Sequence, residues 1–347
     1  MLILHTADLH LSVKKPMRME ILNWIVDKAN HYKTDYIVIA GDLFDSNTDA
    51  TLLRAEVKKV FEKTGAEIMV IPGNHDANSY GPSYDYGKNV KQLFREPFEL
   101  FMIKGIKFLA VPFQPTKFSE CIKDLSDDVD ILIAHGTVYD LSILPILNQE
   151  NVEYMPIYPE EILNLCRCAL LGHIHSKYIE LNYRKAKVLY PGAPIALSTK
   201  CHESRKVVLL NLTEKSTEIS TIDIEIAPYW QELNYFVFPG NEEIIINKLI
   251  QDIKDSLNKN ILLEINIHGY IAGNEIEFKT RINQVLEEFK DKFKTNPHLN
   301  CSNILSWDQF LKNPFVKKFV EKTAGLDDEL RTKILELTFP YIEDIVK

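Results

Sequence analysis

Seven side chains able to hold a metal ion stand at the ends of short apolar runs. Asp8 and His10 follow Leu2–Ala7, Asp42 follows Tyr36–Gly41, and Asn74 follows Ile68–Gly73. His135 follows Ile131–Ala134, and His173 and His175 follow Ala169–Gly172. Two carboxylates, four imidazoles and one amide form a mixed nitrogen and oxygen donor set without thiolate, which suits Mn, Fe, Zn or Co better than Mg or Ca. Seven donors exceed what one ion takes. Two divalent metal ions roughly 3.5–4 Å apart and sharing one carboxylate would use them all, and Asp42, alone at its run's end, is the expected bridge. Such a pair activates water near neutral pH and can stabilise both the attacking and the departing oxygen of a displacement. Gly41, Gly73, Gly136 and Gly172 each adjoin one of the seven, where a tight turn or a close backbone approach would be needed.

These residues need a scaffold that brings five separate chain positions together. Short apolar runs bounded by glycine read as buried strands. Between the first two, Leu22, Ile25, Val26, Ala29 and Tyr32 share one helical face, and a second helix is expected over Ala50–Glu62. Strands alternating with helices imply a layered α/β core, in which sites gather at the carboxyl ends of strands. Further strands are expected at Lys187–Tyr190 and Lys206–Leu212, with alternation across Ser216–Ile226 until Pro228 breaks it. From there to about Ile304 the pattern is strand, helix, strand, helix, strand. The helices fall near Glu242–Leu257 and Glu275–Phe293, the second with Phe278, Ile282, Val285, Leu286 and Phe289 at helical spacing. Asn313–Pro314 reads as an N-cap followed by proline at the first helical position. Two apolar stripes follow, Phe315, Val316, Phe319 and Val320, then Leu330, Ile334, Leu337 and Tyr341, separated by Gly325. The expected division is 1–226, 227–304 and 305–347.

Composition sets outer bounds. A chain of 347 residues exceeds a typical domain of about 100–200, so more than one unit is expected. With 46% hydrophobic and 26% charged residues it has ordinary globular usage, which argues against wholesale disorder. No apolar run approaches the roughly 18 residues of a membrane span, and no membrane partner is expected. The start MLILHTADLH reads as a first strand and not a leader. Five cysteines without a Cys-x-x-Cys pair argue against a disulfide framework or zinc ribbon, and point to a reducing cytoplasm. The net charge of −9 excludes nucleic-acid binding by a global positive field, though not a local basic track.

The motifs read DLH at 8–10, GDLFD at 41–45, GNHD at 73–76, AHG at 134–136 and GHIH at 172–175. In this order they resemble the signature of the calcineurin-like metallophosphoesterases. The opening ILHTADLHL, the extended GDLFD, and ALLGHIH followed by YPGAPIALS at 190–198 resemble the SbcD and Mre-eleven nucleases of double-strand-break repair. The resemblance covers residues 1–225 well and the remainder in general layout. It implies a two-sheet α/β sandwich flanked by helices, a small α/β capping domain and a C-terminal helical element. One metal would be held by Asp8, His10, Asp42 and His175, the other by Asp42, Asn74, His135 and His173. Manganese is the first expectation, with iron, zinc or cobalt as alternatives. His75, which is not a ligand in the family, would act on the phosphate or donate a proton to the departing 3′ oxygen. Asp76, the second expected catalytic position, would orient His75 or brace the loop. Some members carry a histidine where this chain has Asp45, which could instead hold a ligand histidine.

The activity so implied is metal-dependent DNA phosphodiester hydrolysis, as a 3′–5′ exonuclease and an endonuclease. The expected partners are DNA, a coiled-coil ABC ATPase of the SbcC type docked on the C-terminal stripes, and a second copy of the chain. The alternatives are a two-metal phosphoesterase for a small substrate such as a cyclic nucleotide, and a non-catalytic DNA-end scaffold. Protein Ser/Thr phosphatases are disfavoured, because their motif continues Asp-Arg-Gly where this chain has Asp45-Ser46-Asn47. Small basic clusters could reach a phosphate or sit in solvated loops: Lys14, Lys15 and Arg18; Arg184, Lys185 and Lys187; Lys200, Arg205 and Lys206. The Tyr-, Gly- and Ser-rich segment Ala77–Lys91 is expected to be an exposed loop, open to DNA or a second copy of the chain.

Overall fold

The first strand, β1 (Leu2–Thr6), pairs in parallel with β2 (Tyr36–Ala40), and β2 with β3 (Glu67–Ile71). Each of the two connections carries a helix, α1 (Met17–Tyr32) and α2 (Asn47–Phe61). The computed structural model describes every residue except 147–153, 199–200, 214–215, 258–259, 294, 328–329, 332, 336, 339–340 and 343–347. β4 (Val90–Gln92) adds to the far edge of β3. β13 (Lys206–Leu212) and β14 (Thr217–Asp223) add antiparallel beyond β1, completing a six-stranded sheet in the order β14-β13-β1-β2-β3-β4.

A second six-stranded sheet has the order β11-β12-β10-β7-β6-β5. Its parallel centre is β6 (Ile106–Val111), β7 (Ile131–His135), β10 (Cys168–Gly172) and β12 (Ala186–Tyr190). β5 (Glu99–Ile103) and β11 (Ile179–Tyr183) close its edges antiparallel. A short parallel pair, β8 (Thr137–Val138) with β9 (Pro156–Ile157), stands beside it.

The central strands are apolar throughout because both of their faces are covered. On β2, Tyr36, Val38 and Ala40 meet Ile131, Ile133, Cys168 and Leu170 of the second sheet, forming the middle of the sandwich. Ile37 and Ile39 point the other way, onto Ile21, Leu22, Ile25 and Val26 of α1 and Val57 and Phe61 of α2. Tyr32, expected on that helical face, is instead 40% exposed at the last residue of α1. Parallel strands of both sheets end on one side. A Cβ on Gly172 would lie 2.0 Å from the Ala40 carbonyl oxygen, so β10 and β2 touch at their carboxyl ends across the sandwich.

The chain divides into two compact units, Met1–Tyr229 and Trp230–Lys347. In the second, β15 (Tyr229–Val237) pairs with β16 (Ile261–Ile271), along which β17 (His298–Asn300) and β18 (Ile304–Ser306) pair in parallel at 264–266 and 269–271. Helices Glu242–Ser256 and Glu275–Phe289 bury Ile245, Leu249, Ile253, Phe278, Ile282 and Phe289 against this sheet. Asn313 caps the helix Pro314–Thr323, its side chain accepting the backbone N–H of Phe315 and Val316. Val316, Leu335 and Ile342 join Phe238, Tyr270 and Phe310 in a second cluster, with the Tyr270 and Phe310 rings stacked 3.8 Å apart. Of the stripe residues, Phe315, Leu330, Leu337 and Tyr341 are exposed. No helix among the described residues is long and apolar enough to cross a membrane.

Candidate functional site

The seven expected ligands meet where β1, β2, β3, β7 and β10 end. Asp8, His10, Asp42 and His173 carry positive φ values of 55°, 47°, 49° and 104°. Residues with a Cβ seldom adopt this left-handed backbone, and it is concentrated here in the turns after β1, β2 and β10. Glycine makes the approach feasible. A Cβ on Gly73 would lie 2.1 Å from Asp42 Oδ1, and one on Gly41 the same distance from His135 Nδ1.

Two donor sets result. In the first, one ligand atom each from Asp8, His10, Asp42 and His175 lies within 4.8 Å of all the others. His10 Nε2 and His175 Nε2 are 3.2 Å apart, and Asp8 Oδ1 is 3.7 Å from His175 Nε2. In the second, Asn74 Oδ1 stands 3.1 Å from His135 Nε2 and 3.2 Å from His173 Nδ1, and those two nitrogens are 3.3 Å apart. Asp42 Oδ2 joins the sets, 3.7 Å from His10 Nε2 and 3.4 Å from His135 Nε2. It is buried and accepts no hydrogen bond among the described residues. A buried carboxylate oxygen without a donor is costly unless a cation compensates it.

Three of the four imidazoles are held in the form a metal ligand needs, and His135 would have to give up a proton to become one. Burial holds the imidazoles of His10, His173 and His175 below their ordinary value, His175 at about 3, so they present lone pairs at neutral pH. Burial also opposes a charge on His135, yet the Asp42 and Asp8 carboxylates outweigh it and raise this imidazole to about 9. Asp42, pushed up by burial, is carried below the usual carboxylate range chiefly by His135. His135 donates Nδ1–H to the Ala40 carbonyl at 2.8 Å, because a carbonyl can only accept, and Nε2 is thereby turned toward Asp42 and Asn74. These residues fit a pair of borderline divalent cations.

His75 is exposed, and its ring lies edge-on to His10 with centroids 4.7 Å apart. Its backbone N–H donates to Asp42 Oδ1 at 2.9 Å, and its Nδ1–H to the Asp45 carbonyl at 3.1 Å, leaving Nε2 available. Asp76 is placed differently. Its buried carboxylate accepts the N–H of Gly73 and Phe44 and the hydroxyl of Tyr80 at 2.8–3.1 Å, the bonds of a loop brace. Burial, reinforced by Asp42, raises it to about 6. The Asp45 carboxylate lies 3.4 Å from His10 Nδ1 and 3.2 Å from Arg18 Nη1, and Arg18 also donates to the His10 carbonyl. The His10 imidazole, then Arg18, hold Asp45 at about 2.

Several expectations about basic residues and loops are corrected here. Arg205 is neither a phosphate contact nor a solvated loop residue. It is 1% exposed and donates to the carbonyls of Glu203, His175 and Ser176, fastening the turn that carries His175. Its one legible signal is its place directly before the strand 206–212. Arg18 serves Asp45, Lys187 pairs with Glu180, and Lys206 pairs with Asp223, while Lys200 lies outside the described residues. In the segment after GNHD, Tyr80 and Tyr86 are buried against Phe44, and the Tyr86 hydroxyl donates to the Ser79 carbonyl, so these tyrosines face the core. The five cysteines are free, and four are buried.

Sandwich, strand-end site and donor sets together define a class of metal-dependent phosphoester hydrolases. The chain belongs to the calcineurin-like phosphoesterase family, which matches residues 1–177. Over 86 residues it is 30% identical to the SbcD component of the nuclease SbcCD of Escherichia coli strain K12, a stretch covering 22% of each chain. Among solved structures it is similar to a dimetal phosphatase from Danio rerio, at 9% identity and a TM-score of 0.44, covering 64% of this chain and 98% of that one. It is also similar to an archaeal phosphodiesterase, at 14% identity and a TM-score of 0.35, covering 64% and 100%.

Proposed function

We propose that the chain is a two-metal phosphodiesterase acting on DNA, as a 3′–5′ exonuclease and an endonuclease, and the nuclease component of a complex with an SbcC-type coiled-coil ATPase. The observation that carries the two-metal reading is the place of Asp42 Oδ2, buried and facing one histidine of each donor set, 3.7 Å from His10 Nε2 and 3.4 Å from His135 Nε2. Asp8, His10, Asp42 and His175 would hold one ion, and Asp42, Asn74, His135 and His173 the other. Bound there, divalent cations, manganese first, would neutralise the phosphodiester and lower the cost of the attacking and departing oxygens.

The chain's own groups supply the rest. His75 has Nδ1–H committed to the Asp45 carbonyl, so Nε2 is the atom that holds a proton for the departing 3′ oxygen. Asp76 and Tyr80 hold the loop from which His75 projects. Asp45 and Arg18 keep His10 turned inward, and Arg205 does the same for the His175 turn.

DNA as substrate is supported by the likeness of residues 1–225 to the SbcD branch and by the match to a component of an Escherichia coli nuclease. The second unit supports it too, since a cap and a helical docking element suit a macromolecular substrate. Division of Trp230–Lys347 into a cap to residue 304 and a docking element from 305, and pairing of two copies, belong to this reading.

The test is Mn2+-dependent degradation of end-labelled linear duplex DNA, with His75→Ser and a chelator as controls. Shortening that needs both metal and His75 is the expected result. Intact DNA with hydrolysis of a chromogenic diester would transfer the site to a small substrate, and metal binding without any turnover would leave a DNA-end scaffold. Deleting 307–347 is expected to abolish ATPase binding while diester hydrolysis persists; full-affinity binding by the truncated chain would remove the docking role.

A further inference from the structure

His10 has a second group of neighbours on the side turned away from Asp42. One ligand atom each from His10, Asp45 and His75 lies within 4.8 Å of the other two. Nε2 of His10 faces inward, 3.7 Å from Asp42 Oδ2 and 3.2 Å from His175 Nε2, while Nδ1 lies 3.4 Å from Asp45 Oδ1. His10 is 2% exposed, and its Nδ1 is buried without a hydrogen bond among the described residues. A buried ring nitrogen left in that condition is costly unless some partner meets it. Asp45 and His75 are both exposed, so solvent reaches the group from outside. The Asp45 carbonyl, 3.1 Å from His75 Nδ1, adds a further oxygen beside it. Two imidazoles and one carboxylate with an open side are the donors of a three-ligand zinc site that completes its shell with water.

We propose that His10, Asp45 and His75 form an outer cation site for Zn2+ or a similar borderline ion, and that filling it stops hydrolysis by withdrawing His75 from the departing oxygen. The ion takes the place of the His10 Nδ1 proton, which leaves to solvent, and His10 then joins the outer ion through Nδ1 to an inner one through Nε2. Imidazole donors favour Zn2+ over Mn2+ or Mg2+, so the site senses excess of the wrong metal. Arg18 Nη1 lies 3.2 Å from Asp45 Oδ1, and its positive charge makes the outer site weaker than the inner pair, so that it fills last. The inference rests on the two-metal reading and adds regulation by metal level to it.

The test titrates Zn2+ into the metal-free full chain by calorimetry and measures, at each occupancy, hydrolysis of thymidylyl-3′,5′-thymidine and of methyl p-nitrophenyl phosphate. The wild type is expected to bind three ions, and Asp45→Asn and His75→Ala to bind two. Filling the third site is expected to lower hydrolysis of the dinucleotide roughly 10²–10⁴-fold, the loss of a proton donor, and that of the nitrophenyl ester far less, since nitrophenolate departs without a proton. In Asp45→Asn, judged against its own two-ion rate, this fall is expected to vanish. Two ions in the wild type, a third retained by both variants, full activity with three ions bound, or equal loss on both substrates would overturn the proposal. Failure of the DNA reading is distinguishable: the dinucleotide would stay intact at every occupancy, while the ester is cleaved and the third ion still depends on Asp45 and His75.

Discussion

At the residue scale, His75 and the Asp42–His135 pair make separable demands. His75→Ser removes the proposed proton donor without touching either proposed ligand set, so kcat is expected to fall roughly 10²–10⁴-fold while metal content, read by elemental analysis, stays at the wild-type value. Asp42→Asn removes the oxygen that faces both sets, and the metal stoichiometry is expected to drop below two by titration calorimetry. The Asp42–His135 pair also predicts a pH dependence. With its imidazole raised to about 9, His135 stabilises the chelated fold fully below its unfolded value of 6.5, and this contribution is lost as pH rises through about 9. The melting temperature of the chelated protein is therefore expected to decline from pH 6.5 to 9, and His135→Asn to flatten that decline. A melting temperature that rose over this interval would contradict the pair.

At the scale of elements, parallel strands deliver the ligands and the turns after them do the aiming. The turn 173–176 after β10 carries two candidate ligands and leans on Arg205, whose guanidinium satisfies three carbonyls. Arg205→Met is expected to cost about 3 kcal/mol by denaturant titration, within the range for a charged hydrogen bond left unmade, and to weaken metal binding roughly 10–100-fold. Wild-type metal affinity in that variant would show that the turn holds its shape alone. Much of this scale is legible in the sequence. The apolar runs before each ligand are strands, α1 and α2 lie where the helical spacing places them, and Asn313 caps its helix. The edge strands β5 and β11 are not, because partly exposed strands lack the continuous apolar run that marks a central one. Tyr80 and Tyr86 escape for a related reason. A segment rich in Tyr, Gly and Ser looks like a surface loop until its hydroxyls find buried partners.

At the scale of the whole molecule, the units Met1–Tyr229 and Trp230–Lys347 each carry a core of their own. Two calorimetric transitions are expected, with chelation lowering only that of the first unit, by about 2.7 kcal/mol when free metal had stood at 100 times Kd. A single transition shifting as a whole would mean the units unfold together. Net charge of −9 bears on the same scale. If phosphate contacts by the chain itself are few, log K for DNA against log salt should have a slope of magnitude about 2 or less. A slope steeper than about −5 would mean that a phosphate-tracking surface dominates.

Residue types and spacing by themselves marked the seven candidate ligands, the strands that end at them and Asp42 as the candidate shared carboxylate, because a metal site needs particular atoms and a buried strand needs an unbroken apolar run. Left-handed backbone at Asp8, His10, Asp42 and His173, the loop-bracing bonds of Asp76 and the burial of Arg205 came only with the tertiary structure. Each depends on a partner distant along the chain. A carboxylate becomes a brace and an arginine a fastener only once folding decides which buried backbone groups lack partners.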